Sequence, residues 1–280
     1  MNNFFQPFVI ASYHLKHFVR MPRIWVLFAL SILYLHSLVN PLIFFARDVG
    51  FKPTPWLFPF LVNDFVFSMI LSFGAVILFA DAPFQTDMEN YFLLRSSYRC
   101  WRIGQILYII TASLIYLLFM VVACNVILFI GSGIEWSWDW GKILGTLSNT
   151  NASMVYGIDI RFSGYIYSHF TPTSAGVYTL LLVWFLFATI GMFSYVFNYY
   201  IKYIGSIFAT VFVVLDIAII NAYPYVTNHI SPVSLAKLSI VTGNKSQGFP
   251  SIRYAILFFC TIFVLTSILG IVRPQKRQNN

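Results

Sequence analysis

The stretch Gly104-Gln105-Ile106-Leu107-Tyr108-Ile109-Ile110-Thr111-Ala112-Ser113-Leu114-Ile115-Tyr116-Leu117-Leu118-Phe119-Met120-Val121-Val122-Ala123-Cys124-Asn125-Val126-Ile127-Leu128-Phe129-Ile130 holds no Asp, Glu, Lys, Arg or His. A helix that crosses the hydrocarbon layer needs about 20 predominantly apolar residues. Inside lipid, each backbone N–H and C=O must find its partner within the protein, and a helix meets that demand within one segment. Residues 104–130 therefore read as a membrane span.

Five further stretches are similarly apolar, at residues 24–46, 57–80, 176–198, 205–222 and 254–272, interrupted by no ionisable residue of these kinds except His36, Asp64 and Asp216. The start of the second is ambiguous, because Pro53, Pro55 and Pro59 precede or open it. The composition agrees: of 280 residues, 59% are hydrophobic and only 9% charged, with a mean hydropathy of +0.77. A soluble domain carries about 25% charge. The expected fold is all-α, a polytopic membrane protein of about six spans treated as one transmembrane domain over residues 1–280.

The net charge of +8 does not point to nucleic acid, because the seventeen Lys and Arg form no stripe or run. Most flank apolar segments, where orientation signals sit. With the N-terminus inside, ten basic residues fall on the inner side: Lys16, Arg20, Arg23, Arg95, Arg99, Arg102, Lys202, Arg273, Lys276 and Arg277. Seven fall outside, on longer loops: Arg47, Lys52, Lys142, Arg161, Lys237, Lys245 and Arg253. Both termini are expected inside. Cleavable-signal features are absent from the first twenty residues, so the first span is expected to act as its own targeting signal.

The sequence has no Gly-rich phosphate loop, no His-Glu pair at metalloprotease spacing and no nucleophile elbow. Cys100, Cys124 and Cys260 lack paired spacing and read as small apolar residues, with no metal expected. Asn151-Ala152-Ser153 and Asn244-Lys245-Ser246 match the glycosylation tripeptide, a pattern common by chance. No catalytic residue and no cofactor bound by this chain is expected.

Three connections carry more information than their length alone. Residues 1–23 interleave Phe4, Phe5, Phe8, Val9, Leu15, Phe18 and Val19 with His14, Lys16, His17 and Arg20, the pattern of an interfacial amphipathic helix attracted to anionic lipid. Residues 131–175 form a long outer loop with Trp136, Trp138 and Trp140 in alternation, suited to the headgroup level. Between spans five and six, Ser231-Pro232 predicts the N-cap and first residue of a short helix.

The inner loop 81–103 is the richest. Asp81 can cap a helix and Pro83 can occupy its first turn. Asp87 and Glu89 come early and Arg95, Arg99 and Arg102 late, as the helix dipole favours. Phe84, Met88, Tyr91, Phe92, Leu93 and Leu94 are too apolar for a passive loop. A short amphipathic helix under the membrane is expected, either anchoring the loop or offering one face to a soluble partner.

The run Asp81-Ala82-Pro83-Phe84, followed by Leu93-Leu94-Arg95 and Arg99-x-Trp101-Arg102, resembles the coupling-helix region of bacterial permease subunits of ATP-binding cassette exporters of the type-2 superfamily. The order of elements along the whole chain resembles that family too. The resemblance implies a soluble ATPase subunit as partner, with ATP and Mg held there. It also implies a second permease copy or a related permease, and alternating access in a bacterial cytoplasmic membrane. The residues expected to meet the ATPase are Asp81, Phe84, Asp87, Tyr91, Leu94, Arg95, Arg99 and Trp101. The loop 131–175 departs from the family, where this connection is usually short.

Polar residues within the spans supply a candidate substrate path. Asp64 and Asp216 fall in the outer half of the bilayer, with Asn40, Asn63 and Asn125 near the same level and His36 mid-span. Intramembrane ionisable groups are costly and usually face a cavity or a partner. An interfacial Asp64, or an Asp216 bonded to a neighbouring helix, reads equally well. The same two aspartates would serve a lipid-modifying intramembrane enzyme or an ion-driven secondary transporter.

Overall fold

The computed structural model describes residues 5–84, 97–149, 152–200, 204–220, 224–243 and 248–272. Among these the chain is all-α, with a lone antiparallel bridge between Thr242 and Ser251. The helices are α1 Gln6–Arg20, α2 Pro22–Val49, α3 Phe58–Asn63, α4 Phe65–Leu78, α5 Tyr98–Ser132, α6 Gly141–Asn149, α7 Ala152–Val155, α8 Gly164–His169, α9 Pro172–Tyr200, α10 Ile204–Ile220, α11 Pro224–Ile230, α12 Pro232–Leu235 and α13 Ile252–Val272.

Local chemistry sets several boundaries. Met21, extended at φ −76° and ψ 120°, separates α1 from α2, and Pro22 opens α2 where its missing N–H costs nothing. Gly50 closes α2 in the left-handed region at φ +74°, which glycine enters without a Cβ penalty. Ser97 caps α5 by accepting from the Cys100 N–H at 3.3 Å. Ser231 caps α12 in the same way and Pro232 is its first residue, as the Ser-Pro pair predicts.

Four helices are long and apolar enough to cross a membrane: α2, α5, α9 and α13. They become five if the α3–α4 pair, bent by 91°, forms one span. Among the described residues, four or five of the six expected spans are thus helices of crossing length. The predicted span 57–80 is two short helices behind a 3₁₀ turn at Pro55–Leu57; Pro59 sits in the first turn of α3, and the break falls at Asp64, extended at ψ 136°, which caps α4. The predicted span 205–222 holds the 17-residue α10, and residues 201–203 and 221–223 on either side of it lie outside the described residues.

The connections gather at two ends of the bundle. At one end, Arg47 binds the Gly131 carbonyl, Trp56 Nε1 donates to the Ser137 carbonyl at 2.8 Å and Tyr165 Oη donates to the Thr242 carbonyl at 3.0 Å. This tryptophan end carries most of residues 131–170. They are not an open loop: α6, α7 and α8 fold around buried Trp140, Ile143, Leu144, Leu147, Ile158 and Ile166. The opposite, basic end carries α1, the turn after α4 and the starts of α5 and α10.

A buried core of aliphatic and aromatic side chains runs through the bundle, including Leu35, Phe67, Ala75, Ile109, Tyr116, Phe187 and Phe259. The outer surface is also apolar: Leu33, Leu118, Phe129, Leu257, Leu265 and Val272 are all exposed. Such a continuous greasy exterior would be an aggregation hazard in water and is ordinary against lipid.

Candidate functional site

The basic end is built on α1. Its apolar stripe of Pro7, Ile10, Ala11 and Phe18 packs against α5 rather than lying free on a surface. Gly104 makes this approach possible, since a Cβ there would sit 2.7 Å from a methyl of Ile10. At the centre of the interface, His14 Nε2 meets the Gln105 amide nitrogen at 2.9 Å, among the rings of Tyr13, Phe84 and Tyr108. Burial, with a smaller contribution from His17, pushes the His14 imidazole down to about 4, so it is neutral at physiological pH.

The turn that follows α4 is fastened from three sides. Asp81 pairs with Arg23 at the start of α2. The Ala82 carbonyl accepts from Asn198 Nδ2 of α9 at 2.8 Å, and Asn198 Oδ1 accepts from the Gly205 N–H at 2.6 Å. Phe84 lies edge-on to Tyr108 of α5 at 4.7 Å. The entrance to the loop 81–103 is thus tied to α2, α5, α9 and α10.

The exit of that loop is fastened as well. Arg102, only 3% exposed, donates to the Ile271 carbonyl at 2.7 Å and to Tyr199 Oη at 2.8 Å, and lies over the Tyr199 ring. It clamps the end of α13 to α5 and α9. The charge pattern places Arg102 among the inner basic residues and late in the loop, and nothing local shows that a carbonyl 169 positions away receives it. Arg102→Met keeps comparable bulk and removes the charged donor. It is expected to destabilise the fold by about 2 kcal/mol, because hydrogen bonds to charged groups are worth about 1.5–3 kcal/mol. Thermal unfolding in detergent measures this, and Arg102→Lys should recover only part of it, since an ammonium lacks the planar fork.

The residues expected to meet a partner divide accordingly. Asp81 and Arg99 are exposed. Phe84 and Trp101 are buried, at 6% and 2% exposure, so in this conformation their side chains belong to the core and not to a docking face. Asp87, Tyr91, Leu94 and Arg95 lie outside the described residues, as does most of the expected helix.

The polar residues expected along a substrate path are not gathered into one layer. His36 is exposed on the outer face of α2, because the apolar stripe of Leu35, Leu38, Val39 and Leu42 turns inward instead. Asn40 is half-buried. Asp64 is buried and caps α4, its Oδ1 accepting from the Phe67 N–H at 2.9 Å. Asn63 Oδ1 accepts from the Ser239 N–H at 3.1 Å, joining the broken span to the segment after α12. Asp216 lies on α10, and its side chain is outside the described residues. Of these residues, Asn63 borders a polar pocket with Asp159, Arg161 and Ser239, and Asn125 walls a second, apolar cavity.

That cavity, of about 340 Å³, opens at the tryptophan end between Pro55–Pro59, Val121 and Asn125 of α5, Trp136–Trp138, and Gly176 and Leu180 of α9. Trp136 and Trp138 are almost fully exposed, as an interfacial belt requires, whereas Trp140 is buried with its Nε1 donating to the Phe170 carbonyl at 3.1 Å. Alternation in sequence did not distinguish the third tryptophan from the first two. Among the described residues, no three His, Cys, Asp or Glu side chains stand close enough to hold a metal ion. No family model, no curated protein and no solved structure matches this chain.

Proposed function

We propose that this chain is the permease subunit of an ATP-driven exporter in a bacterial cytoplasmic membrane, with the basic end on the cytoplasmic side. A separate subunit holds ATP and Mg and hydrolyses the nucleotide. It docks on the loop 81–103, using Asp81 and Arg99 at the flanks and Asp87, Tyr91, Leu94 and Arg95 between them. Two permease copies, identical or related, frame the path, and six passes of each chain enclose it.

One observation carries this reading. The loop leads directly into α5, a single helix of 35 residues, roughly 50 Å long at 1.5 Å per residue. Its near end is held by His14 and Phe84 and itself holds α13 through Arg102, and its far half supplies Val121 and Asn125 to the cavity. A push on the loop therefore reaches the other end of the bundle through a stiff rod. Packed helices respond to such a push by discrete shifts rather than by bending smoothly. The excess of basic residues at the same end favours a cytoplasmic placement.

The test uses a chain in which Cys100, Cys124 and Cys260 are replaced by Ser and a single cysteine stands at Arg95. In intact cells a membrane-impermeant maleimide should leave it unmodified, and inverted vesicles should label it. A photoreactive amino acid at Tyr91 should cross-link to a protein bearing G-x-x-x-x-G-K-[ST]. Leu94→Glu with Arg95→Glu should lower recovery of that ATPase by about tenfold without changing the melting temperature. Labelling of position 95 from outside would refute the assignment.

A further inference from the structure

The polar pocket beside Asn63 is assembled from three parts of the chain. Asn63 comes from the break between α3 and α4, Leu147 and the segment 158–163 from the folded outer connection, and Ser239 from the turn after α12. The bond from the Ser239 N–H to Asn63 Oδ1, at 3.1 Å, closes one wall. The enclosed volume is about 530 Å³, within the range of about 300–1,000 Å³ that ligand sites occupy. Breaks in spanning helices are places where membrane proteins hold polar ligands, because side chains and backbone there face a cavity.

Two opposite charges line this pocket. Ile158 and Ile160 are buried whereas Asp159 and Arg161 are exposed, the alternation of an extended segment. Asp159 and Arg161 therefore stand on one side, about 7 Å apart along the chain at 3.3 Å per residue. Among the described residues neither is held in an ion pair. Their neighbours add donors. Asn63 Oδ1 is taken by the Ser239 N–H, which fixes the amide and leaves Nδ2 to donate. Ser163 makes no side-chain cap bond to α8, so its hydroxyl is also available.

This set of groups selects a ligand. A simple anion would pair with Arg161 and leave Asp159 alone, and a simple cation would do the reverse. A zwitterion answers both. Donors outnumber acceptors, with a guanidinium, an amide and two serine hydroxyls against one carboxylate. A phosphate offers more oxygens to such a set than a carboxylate does.

We propose that this pocket binds a phosphoethanolamine group, its phosphate oxygens accepting from Arg161, Asn63 Nδ2 and Ser163 and its ammonium donating to Asp159. That chemistry is shared by a water-soluble glycerophosphodiester and by a phospholipid headgroup. The site requires no ATPase and stands or falls separately from the permease reading.

The full chain in phosphatidylglycerol nanodiscs is titrated calorimetrically with glycerophosphoethanolamine, and saturable binding is expected. Glycerol 3-phosphate and ethanolamine, each carrying one of the two charges, should bind at least roughly tenfold more weakly. Asp159→Asn should reduce the zwitterion to the affinity of glycerol 3-phosphate, and Arg161→Gln to that of ethanolamine. Both variants should melt at the wild-type temperature, since both side chains are exposed. Ser163→Phe, which breaks no cap bond and fills the pocket, should abolish binding and serves if either charge variant does not fold. Nanodiscs containing phosphatidylethanolamine separate the two sources. A headgroup seated in the pocket weakens the soluble ligand by competition, and a site reserved for the soluble ligand leaves its affinity unchanged. Absence of binding in phosphatidylglycerol discs, equal affinity for the zwitterion and its two halves, or unchanged affinity in both charge variants would each overturn the proposal.

Discussion

Gly205→Val is expected to prevent α10 from closing on α9 and to leave little monodisperse protein. A Cβ on Gly205 would lie 2.7 Å from the backbone nitrogen of Asn198 and closer still to the carbonyl oxygen of Ser194. Side chains can swing away from an intruder, but helix backbone cannot without losing its own hydrogen bonds. The same site carries the Gly205 N–H to Asn198 Oδ1 contact, and Asn198 in turn holds the Ala82 carbonyl. Displacing α10 therefore also loosens the turn at the entrance to the loop 81–103. Overpacking typically costs about 1–3 kcal/mol and occasionally more, and this case belongs at the upper end because the obstruction is backbone. Gly164→Ala is the control: nothing lies within 4 Å of a Cβ there, so its effect should stay within about 0.5 kcal/mol. A Gly205→Val protein that melts at the wild-type temperature would contradict the close approach of α9 and α10.

Acidification is expected to release α1 from the bundle. In the docked state the His14 imidazole is held down to about 4, against 6.5 for an exposed histidine. Above pH 6.5 both docked and released forms carry a neutral ring, and docking is unaffected. As pH falls from 6.5 towards 4, the released form takes up a proton that the docked form refuses, so docking weakens throughout that window. Below about 4 both forms are protonated and the loss is complete. The full difference amounts to roughly 3 kcal/mol. The groups facing His14 explain the refusal: Gln105 and the rings of Tyr13, Phe84 and Tyr108 offer no negative charge, and His17 repels a second positive one. A spin label at Ser12, on the exposed face of α1, reads the change. It should be immobile at pH 7.5 and gain a mobile fraction between pH 6 and 4.5 (values set by that window). His14→Phe, which suits the aromatic surroundings, should abolish the pH response while keeping α1 docked. A mobile fraction that grows equally in His14→Phe would place the acid sensitivity elsewhere.

Release of α1 matters for the proposed exporter because α1 and the loop 81–103 grip the same segment of α5. Phe84 touches both His14 and Tyr108, so losing α1 removes one wall of the Phe84 niche. The two expected results probe opposite sides of one structural node. Gly205→Val disturbs it from α10, and acid disturbs it from α1.

Several features were readable from the chain alone, each because a short-range rule decides it. Apolar runs such as 104–130 became helices able to cross a membrane, because lipid leaves the backbone no outside partner. Ser231-Pro232 opened a helix because cap and first-turn chemistry act over three residues. The amphipathic pattern of residues 6–20 became a helix, with Pro7, Ile10, Ala11 and Phe18 buried and Phe8, Val9 and Val19 left exposed, a division the pattern does not show. A stripe of apolar side chains can be buried by lipid or by protein, and only the presence of Gly104 opposite Ile10 made α5 the closer surface.

What the chain determined without help was its solvent and the place of its long apolar helices, since both follow from the free energy of placing each segment in hydrocarbon or water. The tertiary structure alone decided how the few polar groups are used. Asp64 became the cap at a 91° break and not a free intramembrane acid, Arg102 became a clamp on the last helix, and Asn125 remained with an unpaired oxygen. Such pairings join residues up to 176 positions apart. No local pattern encodes them, because a buried polar group is satisfied by whichever partner the packing of helices brings within about 3 Å.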